Sequence, residues 1–117
     1  ILRCLVGSEM CIRDSFYPKE FRVIYPALGI SGEAGECADK VKKVLRDTAV
    51  MKDSFGCIIL PDDKKTELAK EIGDVLWYCA VLSHDLGLTL EEVGEMNIQK
   101  LASRQARNKL GGSGDNR

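Results

Sequence analysis

Residues Leu28–Asp47 read LGISGEAGECADKVKKVLRD, and the placing of charged and apolar side chains in this stretch decides the fold. Ile30, Ala34, Cys37, Ala38, Val41, Val44 and Leu45 recur at helical spacing, which predicts a helix from about Pro26 to Arg46. A proline is tolerated at such a start, because the first turn has no partner for the N–H it lacks. At roughly 100° per residue, Glu33 and Glu36 fall together on one flank of the apolar stripe, and Lys40 and Lys43 continue that flank. The same segment carries Gly29, Gly32 and Gly35, each costing a helix about 1 kcal/mol against alanine. Their grouping around the acidic pair points to the close approach of another backbone or of a ligand.

A second stretch repeats the arrangement. From about Lys64 to Leu86, the residues Leu68, Ile72, Val75, Leu76, Cys79, Leu82 and Leu86 make a helical stripe. Glu71 and Asp74 lie on one flank of it, with Tyr78 between them in angle and one turn further on. Packing the two stripes together lets the acidic pairs face each other across the seam. Trp77, Ala80 and Val81 lie away from the stripe, so this helix is apolar on more than one side and is expected to sit between layers or between subunits. Gly87 supplies a stop. A third helix starts at the capping-box pattern of Thr89 with Glu92 and runs to about Asn108. Leu90, Val93, Met96 and Leu101 give it apolar contacts, while Asn97, Lys100, Arg104 and Arg107 share one face. Between the first two helices, Phe55–Leu60 is apolar and β-prone and ends at Pro61. It reads as a loop with a short strand folding back on the core, or as an oligomer contact. The fold class expected is all-α, a helical bundle of three to four helices per chain completed by oligomerisation.

The chain has 117 residues, enough for one domain and a modest core. Charged residues at 30% and hydrophobic ones at 44% exclude a disordered composition. A net charge of -1 gives no bulk attraction to nucleic acid or to an anionic membrane. No apolar run approaches the ~20 residues that a membrane span needs. Leu5–Ser15, LVGSEMCIRDS, resembles a translated sequencing adapter, so residues 1–15 are expected to be non-native. The domain is then expected over 16–110, with a flexible Gly-rich tail over 111–117. Cys37, Cys57 and Cys79 remain, an odd number without CxxC spacing. They read as small hydrophobes in a reducing, cytoplasmic setting rather than as disulfides or zinc ligands.

Each acidic pair alone is also what a solvated helix face offers. Like charges at i, i+3 cost a few tenths of a kcal/mol, a penalty that a bound cation reverses. A di-iron bundle would need Glu-x-x-His on two helices, and the single histidine, His84, does not follow a glutamate at that spacing. An all-oxygen set favours Mg2+, with Mn2+ as a substitute. Basic side chains near a helix C-terminus are favoured by the helix dipole in any case. Beside a cation they gain a second use, holding phosphates, and the ligand that fits both ends is a polyphosphate.

Leu28–Asp47, together with Glu67–Tyr78 (ELAKEIGDVLWY), resembles the all-α nucleoside triphosphate pyrophosphohydrolases of the MazG type. That family has E(E)xxE on one helix and ExxD on the next. Glu33 and Glu36 match the first motif, Glu71 and Asp74 the second, and MNIQKLASR continues the likeness through Asn97, Lys100 and Arg104. Gly32 stands where the family often has one more glutamate, so no role passes to it. The resemblance implies cleavage of a nucleoside triphosphate between its α- and β-phosphates. Glu33, Glu36, Glu71 and Asp74 would hold Mg2+, which activates the attacking water. Lys100 and Arg104 would stabilise phosphate charge, while Tyr78, Asn97 and Lys40 are candidates for nucleotide contacts. Family members assemble as homodimers or homotetramers. Two alternatives remain open at this level: a phosphoribosyl-ATP pyrophosphohydrolase, and a helical interaction module without catalysis.

Overall fold

Three helices carry the structure, a computed structural model that describes residues 17–47 and 51–107. The adapter-like segment, Asn108 and the Gly-rich tail lie outside the described residues. After a single 3-10 turn at Lys19–Phe21, α1 spans Ile24–Asp47, α2 spans Asp62–Asp85 and α3 spans Leu90–Ala106. The all-α expectation holds, with boundaries within about two residues of those read from the sequence. Pro26 falls in the first turn of α1 and is buried there.

Local chemistry accounts for the helix ends. At the end of α2, Gly87 adopts φ 75, a left-handed conformation that favours glycine. The N–H of Gly87 then reaches the His84 carbonyl at 3.0 Å and the N–H of Leu88 reaches that of Ser83 at 2.9 Å, which makes a Schellman cap. Two residues on, the Thr89 hydroxyl accepts from the Glu92 N–H at 3.1 Å, and the Glu92 carboxylate accepts from the Thr89 N–H at 2.7 Å. The capping box is complete in both directions.

Between α1 and α2 lies a small antiparallel hairpin, β1 (Met51–Lys52) and β2 (Ile58–Ile59), with Met51 opposite Ile59. Its turn is held by the Asp53 carboxylate, which accepts the N–H groups of Phe55 and Cys57 at 2.8 and 2.9 Å. Gly56 supplies the positive φ that the turn requires. The expected short strand is present, but most of the run does not fold onto the core. Phe55 is 90% exposed, and only Leu60 tucks in, beside Val41, Val44 and Leu68.

The tightest core is on the side of α2 away from the main stripe. Tyr17, Ala80 and Val81 are buried together, with Trp77 and Leu90 packed against them. Burying a valine completely, as at Val81, is worth about 1.5–3 kcal/mol. Along the seam itself, Val44 is buried while Val41, Leu45 and Ile72 stay exposed. Ala34, Cys37, Val41, Leu45, Leu68 and Ile72 line an open apolar groove of about 900 Å³. The two-sided character of α2 is therefore real, but among the described residues the more closely packed face is the one lying off the stripe.

One buried anion ties the start of α1 to the end of α2. The Asp85 carboxylate, 5% exposed, lies 4.0 Å from the Arg22 guanidinium. It also accepts the Tyr17 hydroxyl and the Val23 N–H, each at 2.9 Å. Val23 has φ 68, an unusual conformation for a β-branched residue, and the Asp85 contact helps to hold it there.

Candidate metal centre

Contacts across the α1–α2 seam run in opposite chain directions. Gly29 meets Tyr78, Glu33 meets Asp74 and Lys40 meets Glu71, so the two helices are antiparallel. In an antiparallel pair, residues one turn apart on α1 face residues one turn apart on α2. Gly29 and Glu33 share one face of α1 and Tyr78 and Asp74 share one face of α2, so the two contacts lie in adjacent layers.

Glu33, Glu71 and Asp74 each bring a carboxylate oxygen within 4.8 Å of the other two. Glu33 and Glu71 are half-buried and Asp74 is exposed. An octahedral Mg2+ with bonds of about 2.1 Å sets neighbouring oxygens about 3 Å apart and opposite ones about 4.2 Å apart. A mutual separation within 4.8 Å is of the same order as these spacings. Their donor set, oxygen only, also fits a hard divalent cation. Glu36, the fourth carboxylate expected from the sequence, is exposed and stands outside this group.

Cationic and aromatic side chains flank the cluster. The Lys40 ammonium lies 3.1 Å from Glu71 Oε1. Its affinity for the proton is raised, first by that hydrogen bond and then by the nearby charges of Glu71, Glu67 and Glu36. On the other side is Tyr78, T-shaped against Trp77 at 4.9 Å and tilted against Tyr25 at 6.5 Å, with Tyr25 stacked on Tyr17 at 4.8 Å. Burial pushes the Tyr78 hydroxyl up, and the charges of Glu33 and Asp74 add to the effect. Tyr78 crosses α1 at Gly29, where a β-carbon would lie 2.3 Å from the ring. The close approach expected at the glycines is thus found at Gly29 and made by a ring. At Gly32 and Gly35 no such neighbour comes within 4 Å.

A family model for the MazG nucleotide pyrophosphohydrolase domain matches residues 26–107. The chain belongs to the MazG family. Its match takes in both acidic motifs and all of α3. The chain is also 44% identical over 93 residues to the Gene 37 protein of Mycobacterium phage L5, covering 80% of this chain and 75% of the phage protein. No solved structure matches. MazG proteins are nucleotide pyrophosphohydrolases in general and use a divalent metal, in keeping with the acidic cluster here.

The remaining expected site residues are on α3. Asn97 is exposed, Lys100 and Arg104 are half-buried, and the helix packs on α2 with Leu90 beside the Trp77 cluster. His84 is exposed, as expected of a surface histidine. Cys37 and Cys79 are half-buried and Cys57 is exposed, all three as free thiols. Sequence reasoning missed Tyr17, Tyr25 and Asp85. One signal was available for Asp85: a carboxylate in the last turn of a helix opposes the helix dipole and needs donors from elsewhere. No helix among the described residues is long and apolar enough to cross a membrane.

Proposed function

We propose that this MazG protein hydrolyses a nucleoside triphosphate between the α- and β-phosphates, giving the monophosphate and pyrophosphate, in a reaction that depends on Mg2+. The observation that carries this reading is the convergence of Glu33, Glu71 and Asp74 from two antiparallel helices. These three hold the cation, and Glu36 joins them from its exposed position one turn along α1. When bound, the cation neutralises the triphosphate and activates the attacking water. A carboxylate of the cluster orients that water towards phosphorus. Lys100 and Arg104 take the charge that builds on the departing pyrophosphate. Asn97, Tyr78 and Lys40 contact the nucleotide, Tyr78 offering an aromatic face beside the carboxylates. The half-exposed apolar groove between α1 and α2 supports assembly into a homodimer or homotetramer. The role that fits is housecleaning or control of a nucleotide pool.

The test is pyrophosphate release from a panel of standard and modified nucleoside triphosphates and phosphoribosyl-ATP, with and without Mg2+. A folded protein inactive on every member would sink the proposal. Turnover restricted to phosphoribosyl-ATP would move the reading to that substrate.

A further inference from the structure

Lys40 sets a positive charge against the candidate cation site. Its ammonium touches Glu71 at 3.1 Å, and both side chains are shielded, at 29% and 15% exposure. Lys40 and Glu71 come from different helices, so this is a tertiary contact and not a helix-surface pair. Other lysines around it are committed elsewhere: Lys42 and Lys43 both hold Asp39 at 2.6 Å, and Lys64 holds Glu67 at 2.9 Å. Without a counter-charge, three converging carboxylates repel one another in a partly desolvated seam. One positive charge at Glu71 offsets part of that repulsion and fixes the carboxylate where the cluster needs it.

We infer that Lys40 is a resident counter-ion of the carboxylate cluster, holding Glu71 in place in the metal-free protein and competing with the divalent cation for it. Lys40 is then a positioning residue that sets how tightly the cation binds. A divalent cation must overcome the ammonium's repulsion and its claim on Glu71, so its affinity is lower than three carboxylates alone would give. Once the cation holds Glu71, the ammonium is released and stands beside the site, available to a phosphate. The inference rests on the metal-binding reading of the cluster.

The experiment is calorimetric titration of Mg2+ into the wild-type protein, Lys40→Met and Lys40→Arg, with thermal melting of each in chelator. Lys40→Met is expected to bind Mg2+ about tenfold more tightly, a screened fraction of the bare repulsion between a +1 and a +2 charge. In chelator it is expected to melt below the wild type, because the cluster has lost its counter-charge. Lys40→Arg keeps the charge and is expected to restore both values towards wild type. Lys40→Met binding Mg2+ no more tightly than the wild type would overturn the inference while leaving the metal site standing. Binding by Lys40→Met alone would support it in its strongest form. Binding by none of the three proteins would remove the metal reading and the inference together.

Discussion

Three glycines on one helix make the packing argument measurable. At Gly29 an added β-carbon would lie 2.3, 2.4 and 2.6 Å from the Tyr78 ring atoms, against a comfortable carbon separation of about 3.5–4.0 Å. The ring must retreat by more than about 1 Å. Retreat is resisted by Trp77 at 4.9 Å and by Tyr25 at 6.5 Å. Overpacking of this kind costs about 1–3 kcal/mol. Alanine regains about 1 kcal/mol of helix propensity, so Gly29→Ala is expected to be neutral to about 2 kcal/mol destabilising. At Gly32 and Gly35, with no such neighbour within 4 Å, the propensity term stands alone. Each alanine there is expected to stabilise by about 0.5–1 kcal/mol. For a domain of this size, 1 kcal/mol moves the melting temperature by about 4–8 °C. Circular dichroism at 222 nm, at one protein concentration for all variants, reads the difference, and near-ultraviolet dichroism reports the displaced ring. Gly29→Ala should also weaken Mg2+ binding, because Tyr78 and Asp74 share a face of α2 and a shifted ring moves the neighbouring layer. If Gly29→Ala melts as high as Gly32→Ala, with an unchanged aromatic spectrum, the packing argument is wrong.

Glu71→Gln and Asp74→Asn are each expected to abolish pyrophosphate release while leaving helix content near wild type, checked by turnover and circular dichroism on the same samples. Tyr17 is held up at about 12, first by burial and then by its hydrogen bond to Asp85. The fold favours the neutral phenol, so its contribution is whole below pH 10 and is lost as pH rises towards 12, an effect of about 2–3 kcal/mol. Urea melts across that range should show the wild type losing stability faster than Tyr17→Phe; parallel curves would refute the assignment. Thr89→Ala removes one arm of the capping box and is expected to cost about 1 kcal/mol, read as a lower melting temperature.

Much of this architecture is legible in the sequence because its determinants are local. Helical periodicity gave α1 and α2, Thr89 and Glu92 gave the start of α3, and Gly87 gave the end of α2. The spacing of the two pairs, Glu33 with Glu36 and Glu71 with Asp74, was enough to expect four carboxylates converging across a seam, of which three are grouped. Periodicity says which face is apolar but not what covers it. The strongest stripe on α2 is half open, while the face with Ala80 and Val81 is closed by Tyr17 and Leu90, residues remote in the chain. Glu36 illustrates the same limit. Its i, i+3 relation to Glu33 puts the two on neighbouring angles, yet only Glu33 points across to α2 closely enough to join the group. The Asp85 contacts were illegible for a further reason: they span more than sixty positions and depend on a left-handed Val23 that no local preference predicts.

Those Asp85 contacts also bear on where the folding unit ends. The family pattern begins at residue 26, but three of the groups that meet the Asp85 carboxylate, on Tyr17, Arg22 and Val23, precede it. A chain trimmed to the matched region would keep every expected metal ligand and leave a shielded carboxylate without these three partners. Loss of partners for a buried charge is among the costlier defects in a small domain. Residues ahead of the family match therefore belong to the packing of these helices, through the partners that Tyr17, Arg22 and Val23 give to Asp85.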